Sequence, residues 1–402
     1  MGYTVSEMNV PIAPYVGDLL VFDADSHVME LPDWLGSYAD DATREKLRPL
    51  PLGAVGGALA ETAVADAARR RATGEHGTVT DPLEILRPKG WNAIGAFDRD
   101  ERSAVLDVLG FAAQLVFPTF AARQFFDKLP DGSPDLDLLY GGTDALNRAM
   151  ADFCAEDSRM LAVGSIPWAV PERTIEAARR AIVEGCQAIQ VPTELPRGVV
   201  SPTHPDHYGL WELLESENIP VVSHIGGGGQ PVGRGFHNNG RPVNDFLGGG
   251  ENVRAKDYLA IHQRPEVFWG SMVLDGIFER FPGLRGASIE EGAMWVVAWI
   301  RRLDLAMSFA RSEAPLRELQ LSPSDYVRRH LRFTPFAAEP VGWMIEQAGQ
   351  ELFLFSSDYP HPEGTKDPLA KFDATMTGVS TEVRQRFLST NFAELYRGSV
   401  PA

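Results

Sequence analysis

Four ionisable side chains stand at the carboxyl ends of three apolar runs. Asp25 and His27 lie in VFDADSHVME (21–30), His224 in IPVVSHIG (219–226) and Asp358 in ELFLFSSDYP (351–360). Two imidazoles and two carboxylates suit Zn²⁺, Mn²⁺ or Fe²⁺. The first run poses the physical problem. Alternate side chains of a β-strand share a face, so Asp23, Asp25 and His27 are expected together on one side. Three ionisable groups on an inward face are costly unless their charge is compensated, and a bound divalent cation supplies that compensation. One Asp-x-His alone is ordinarily a solvated edge or turn, and a lone strand-end histidine ordinarily a core or rim residue. The metal reading rests on the convergence of all four.

For these groups to meet, the ends of distant strands must share one rim. The chain alternates short apolar runs with amphipathic helical stretches. Strands are expected over 19–25, 112–119, 161–168, 186–193 and 219–226, and then in LRGASIEEG, HLRFTPF and ELFLFSSDYP. Between them lie helical patterns at 143–160, 171–185, 207–218, VLDGIFERFPG, AMWVVAWIRRLDLAMSFA and VGWMIEQAG, with STEVRQRFLSTNFAELYRG closing the chain. The 171–185 helix has Pro near its first turn and Gly at its end, the usual polarity. Strands separated by single helices imply a parallel sheet covered on both faces. About eight of them favour a closed barrel. An open doubly wound sheet is the alternative, but DADSHVMELP lacks its glycine-rich first turn. The expected fold is therefore α/β, a distorted (β/α)8 TIM-type barrel forming a single domain over 1–402. Long insertions follow strand one (about 31–100, with an Ala/Arg-rich helix at 58–72) and strand five (226–256, glycine-rich). Both leave strand carboxyl ends, where they would wall and cover one pocket.

The chain has 402 residues, 44% hydrophobic and 23% charged, with 38 Gly and 29 Pro, a globular enzyme's composition. A net charge of −18 argues against nucleic acid and anionic membrane surfaces as partners. Two cysteines, Cys154 and Cys186, exclude a disulfide framework and an all-thiolate metal site. The first residues lack the basic flank and apolar core of a signal peptide, and Met1-Gly2 sits in a poor context for myristoylation. No apolar run is long enough to span a bilayer. A cytoplasmic protein acting on a small molecule is expected.

The sequence resembles the amidohydrolase-related family, the superfamily branch containing aminocarboxymuconate-semialdehyde decarboxylase, resorcylate-type decarboxylases and related hydrolases. DADSHVME, ALNRAMADFC, EGCQAIQVPT, HYGLWELLESENIPVVSHIG, GIFERFPGLRG, EEGAMWVVAWIRRLD and SSDYPHPEG carry the resemblance across nearly the whole chain. It implies the distorted barrel, one divalent metal and a homo-oligomer, dimer or tetramer. Transferred by motif, the ligands are Asp25 and His27 from strand one, His224 from strand five and Asp358 from strand eight. Many members begin with His-x-His, where this chain has Asp25. The carboxylate hardens the site, favouring Mn²⁺ or Mg²⁺ more than a His-rich site would, with Zn²⁺ or Mn²⁺ the expected ion and Mg²⁺ or Fe²⁺ as alternatives. Many members also have a histidine near the metal on strand six, where ASIEEGAMW places Glu290, followed by Glu291.

A single metal with an open position activates water or polarises a carbonyl. The resemblance favours a non-oxidative decarboxylase of a small aromatic or unsaturated acid, with Asp358 delivering the proton to carbon. The alternative is a hydrolase of a cyclic ester, amide or related bond, with Asp358 taking a proton from the metal-activated water. Glu290 is expected to line the pocket as a further catalytic group, and His361 to orient Asp358 or touch substrate. Arg234 and His237, in the glycine-rich insertion, are candidates for a substrate carboxylate. His204 and His207 follow strand four, where a surface position is the more ordinary expectation. Trp295 and Trp299 read as core, and Asn147 and Asn391 as capping or packing residues.

Overall fold

The computed structural model of the chain describes residues 13–50, 57–75, 81–126, 133–196, 198–226, 232–241 and 255–401. Seven parallel strands pair in chain order: β1 (Phe22–Val28), β2 (Ala113–Pro118), β3 (Met160–Ser165), β4 (Ala188–Gln190), β5 (Val221–His224), β6 (Gly286–Ile289) and β7 (Leu331–Phe333). The eighth expected strand is present as an irregular segment that joins the two ends of the sheet. Phe333 N donates to Leu352 O (2.8 Å) and Leu354 N to Phe333 O (2.9 Å) on the β7 side. On the β1 side, Ala24 N donates to Phe355 O (3.0 Å), Asp358 N to Asp25 O (2.9 Å) and His27 N to Tyr359 O (2.7 Å). Regular pairing is broken where Asp358 takes a left-handed conformation, φ 51°. Ala24, Leu115, Phe117, Leu161, Val163, Ala188, Val222, Ala287, Ile289 and Leu354 form one cluster along the strands, as expected for the packed interior of a barrel.

The helices begin and end where local chemistry directs. Asp135 accepts from the N–H groups of Asp137 and Leu138, so the helix expected from 143 begins at Leu136 and runs to Cys154. Pro171 opens the helix Pro171–Glu184, and Gly185 (φ 113°) closes it in a left-handed cap. Asn147 and Asn391 are packing residues. Asn147 pairs with both the N–H and the C=O of Ser165 at the end of β3. Asn391 donates to Phe353 O on the closing segment. Among the described residues no helix is long and apolar enough to cross a membrane.

One local irregularity sets the geometry of β1. Its register on β2 shifts between Asp23 and Ser26, inserting one extra residue. Such a bulge breaks strict alternation. Asp23 therefore does not share a face with Asp25 and His27, contrary to the simple period-two expectation. Its carboxylate accepts from Gln114 Nε2 (2.7 Å), Ser357 N (2.8 Å) and Ser357 Oγ (2.5 Å), while Ala24 joins the interior cluster. Burial pushes the Asp23 carboxyl up to about 7 despite these donors.

Gln114 links Asp23 to Arg102, a fully buried arginine on the helix Arg99–Leu109. The guanidinium donates to Gln114 Oε1 (3.1 Å), Gly95 O (2.7 Å) and His27 O (2.5 Å). The long connection between β1 and β2 thus fixes the carboxyl end of β1 with a buried cation. Arg102→Met keeps much of the volume but strands these acceptors. Denaturant titration is expected to show a loss of roughly 3 kcal/mol or more, whereas a change within experimental error would remove Arg102 from the account.

Candidate metal centre

The two histidines at strand ends are held by the same device. His27 Nδ1 lies 3.3 Å from Pro118 O, and His224 Nδ1 lies 2.8 Å from Ile225 O. A carbonyl only accepts, so each Nδ1 carries the hydrogen and each neutral ring presents its Nε2 lone pair elsewhere. Both lone pairs turn toward Asp25 Oδ1, at 3.2 Å from His27 Nε2 and 3.4 Å from His224 Nε2. His27 Nε2 is buried and makes no hydrogen bond. Acceptors facing a carboxylate need a cation between them, whether a proton or a metal ion.

The electrostatics follow from that crowding. Burial, reinforced by the positive potential of His361, pulls the His27 imidazolium down to about 3, so the ring is neutral at ordinary pH. Burial alone would raise the Asp25 carboxyl, but the hydrogen bond to His224 and the neighbouring His27 imidazole outweigh it and hold the group below the usual carboxylate range. Burial likewise opposes charging His224, yet its bond to Asp25 raises its affinity for a proton.

Two further carboxylates reach this point. Glu290 Oε2 is 3.4 Å from His224 Nε2, and Asp358 Oδ1 is 3.8 Å from His27 Nε2. Asp25, His27, His224 and Glu290 each place a ligand atom within 4.8 Å of the others, as do His27, Glu290, Asp358 and His361. Glu290 thus stands as near the centre as the four residues picked out by strand position. Both Glu290 (φ 55°) and Asp358 (φ 51°) are left-handed residues, a conformation that costs of order 1–3 kcal/mol in a non-glycine residue. Glu290 N is fixed on Thr334 Oγ1 (2.8 Å). Behind Asp358, Gly364 packs so closely that a Cβ there would lie 2.5 Å from Asp358 O. His361 Nδ1 lies 3.1 Å from Asp358 Oδ1, its Nε2 lies 3.0 Å from Thr119 Oγ1, and its ring stacks on His27 with centroids 3.7 Å apart.

Other candidates fall elsewhere. Arg234 begins a short helix, Arg234–His237, and its side chain lies outside the described residues, as do 227–231 and 242–254 of the insertion. His237 pairs with Asp257 at 3.3 Å within that same connection. His204 accepts from Asp206 N, and His207 is buried against Trp168; neither belongs to the ligand groups. Trp295 and Trp299 pack on each other and on Phe333.

Several contributors were not visible in the sequence. Thr119, one residue beyond β2, reaches His361. Glu30 anchors the turn containing Thr119 by accepting from the N–H groups of Thr119, Phe120 and Ala121. Lys89 lies in the long β1–β2 connection, close enough to Asp358 to interact with its charge. Glu291, adjacent to Glu290, accepts from Ser223 Oγ (2.7 Å) and Ser288 Oγ beneath the centre. The only local signal was position just beyond a strand end, which Thr119 and Glu291 share.

The sequence matches the model of the Amidohydrolase family over residues 23–398. A comparison with curated proteins finds no match. Among solved structures, the fold is similar to an amidohydrolase from Mycobacterium avium subsp. paratuberculosis K-10, with TM-score 0.71 and 19% identity over 94% of this chain and 99% of that one. It is also similar to 5-carboxyvanillate decarboxylase from Sphingomonas paucimobilis (TM-score 0.58, 19% identity, 94% and 99% covered). A third is dihydroxybenzoic acid decarboxylase from Polaromonas sp. JS666, solved with bound manganese and the inhibitor 2-nitroresorcinol (TM-score 0.61, 15% identity, 94% and 97% covered).

Glu291 gives the site a pH signature. Burial pushes its carboxyl from 4.5 up to about 7, against the pull of the two serine hydroxyls. A raised folded-state pKa stabilises the protein fully below about 4.5, and that contribution is lost as pH rises through about 7. Glu291→Gln keeps an acceptor for the serines and does not titrate. In metal-free protein, the stability of the variant relative to wild type is expected to rise between pH 4.5 and pH 7; a constant difference across that window would contradict the assignment.

Proposed function

Because the chain belongs to the amidohydrolase family, we propose that it is a divalent-metal-dependent decarboxylase of a small aromatic or unsaturated carboxylic acid. The observation that carries the metal is the pair of Nε2 lone pairs turned on the buried Asp25 carboxylate. Asp25, His27, His224 and Asp358 are the ligands in this reading, and the nearby Glu290 makes the donor set harder. Three carboxylates around two imidazoles favour manganese over zinc, with magnesium and iron as weaker fits. Carbon dioxide loss is supported by fold similarity to decarboxylases of hydroxylated aromatic acids, one of them manganese-bound.

When bound, the metal supplies a positive charge for chelating the substrate carboxylate and a neighbouring oxygen. The residues of the chain do the rest. His361 holds the Asp358 carboxyl in one orientation, and Thr119 holds His361. Asp358 takes up a proton from solvent before the step, delivers it to the carbon that loses its carboxyl group and is left as the carboxylate, while the C–C bonding pair becomes the new C–H bond and carbon dioxide departs. Glu290, its backbone N–H fixed on Thr334 and its carboxylate 3.4 Å from His224 Nε2, adds a further polar group to the wall of the site.

Three experiments test this. Wild-type protein is expected to carry about one divalent ion per chain, and His224→Ala to lose most of it, by elemental analysis; equal content in the two would remove the site as drawn. Asp358→Asn and Glu290→Gln are each expected to retain metal to a useful degree and lower turnover by roughly 10²-fold or more. Turnover in D₂O is expected to place deuterium on the product carbon that lost carbon dioxide. An intact carbon skeleton with a newly cleaved ester or amide would instead establish the hydrolytic alternative.

A further inference from the structure

Thr119 stands one residue beyond β2, where three segments meet, and its hydrogen bonds assign the hydrogens of His361. Glu30 fixes its backbone by accepting from the N–H groups of Thr119 (2.7 Å), Phe120 (3.0 Å) and Ala121 (3.2 Å). The hydroxyl Oγ1 lies 2.8 Å from Val28 O, at the end of β1, and 3.0 Å from Nε2 of the buried His361. Met29 Sδ, at 3.9 Å, is a weak acceptor. The hydroxyl has one hydrogen, and a carbonyl can only accept. That hydrogen therefore belongs to the Val28 carbonyl, and toward His361 the oxygen acts as acceptor. Nε2 must then carry a hydrogen. A neutral imidazole has one N–H, so its Nδ1 is left as a lone pair, and Nδ1 faces Asp358 Oδ1 at 3.1 Å. His27 and His224 are set the opposite way, with hydrogen on Nδ1 and the lone pair on Nε2. The third histidine meets position 358 as an acceptor.

We propose that Thr119 is a positioning residue: through the tautomer it imposes on neutral His361, it decides which atom of residue 358 faces the metal. This rests on the reading above, in which Asp358 is both ligand and acid. In its acid form Asp358 has one oxygen that bears hydrogen and one that does not. The Nδ1 lone pair selects the hydrogen-bearing oxygen, and the bare oxygen is left for the ion. Asp358 is thereby loaded with its proton without giving up its place as a ligand. With the opposite tautomer, Nδ1–H would hold the bare oxygen and turn the O–H, a poor ligand, toward the cation. The choice depends on the hydroxyl at position 119. An apolar side chain of the same shape leaves the ring free to take either tautomer.

Asparagine at position 358 is a permanent mimic of the acid form, because its amide nitrogen donates and its oxygen ligates. The test is manganese titration, followed by the EPR signal of the free ion, in the wild-type and Asp358→Asn backgrounds. In Asp358→Asn, adding Thr119→Val is expected to weaken manganese binding roughly 10-fold or more, because His361 either buries an unpaired N–H or turns the amide nitrogen onto the ion. Adding Thr119→Ser instead is expected to leave it unchanged. In the wild-type background Thr119→Val is expected to leave binding unchanged or tighter, since either carboxylate oxygen ligates and Nδ1–H suits both. Equal weakening in the two backgrounds would make Thr119 merely structural and overturn the proposal. So would no weakening in Asp358→Asn, a loss with Thr119→Ser as large as with Thr119→Val, or an Asp358→Asn protein that holds no manganese; the metal reading stands in each case. Absence of manganese binding in wild type would overturn both. The tautomer is also read without a Thr119 variant, from the imidazole nitrogen shifts of isotope-labelled histidine in zinc-loaded wild type, with His361 identified by the signal lost in His361→Gln. Hydrogen on Nε2 is expected, and hydrogen on Nδ1 alone would overturn the proposal.

Discussion

A buried carboxylate faced by two imidazole lone pairs cannot persist without a cation. Asp25, His27 and His224 make that arrangement at 3.2 Å and 3.4 Å, and the carbonyls of Pro118 and Ile225 keep either ring from turning its hydrogen inward. The surrounding structure maintains this confrontation. The bulge in β1 brings Asp25 and His27 to the centre and diverts Asp23 to Gln114 and Ser357. Arg102 fixes the His27 carbonyl from the far side. Two strained residues, Glu290 and Asp358, extend their carboxylates toward the same place. Crowding these carboxylates together and holding Glu290 and Asp358 in left-handed conformations costs free energy, which a divalent ion at this point would offset by neutralising the group as a whole.

The barrel makes such a site possible because parallel strands end together. Residues 200 or so apart in sequence meet without any loop having to reach across the molecule. The long connections contribute differently. The β1–β2 connection supplies Arg102, buried behind the strand, and Lys89, whose charge interacts with that of Asp358.

Much of this was legible in the sequence, because apolar runs that end in Asp25-Ser26-His27, His224 and Asp358 mark strand ends directly. The alternation of runs and helices was enough to indicate the barrel, and capping residues such as Pro171 and Gly185 marked helix limits. What escaped has physical reasons. Asp23 obeys period two on paper, but the extra residue in β1 is a tertiary adjustment that no residue type announces. The closing segment at 352–359 reads as an eighth strand, yet the left-handed Asp358 prevents regular pairing. Glu290 was visible only as a departure from a familiar histidine, and its approach to His224 depends on a positive φ. Lys89, Thr119 and Arg102 act through neighbours distant in sequence, so spacing could not find them.

The central claim is that one divalent cation occupies the point where Asp25, His27 and His224 converge. It is tested most directly by anomalous diffraction at the manganese edge from crystals of the protein loaded with manganese. The account predicts a single strong peak in bonding contact with both Nε2 atoms and an Asp25 oxygen, with Asp358 reaching the same ion. A featureless anomalous map at these side chains, or a manganese ion bound elsewhere while His27 and His224 remain hydrogen-bonded to Asp25, would contradict it.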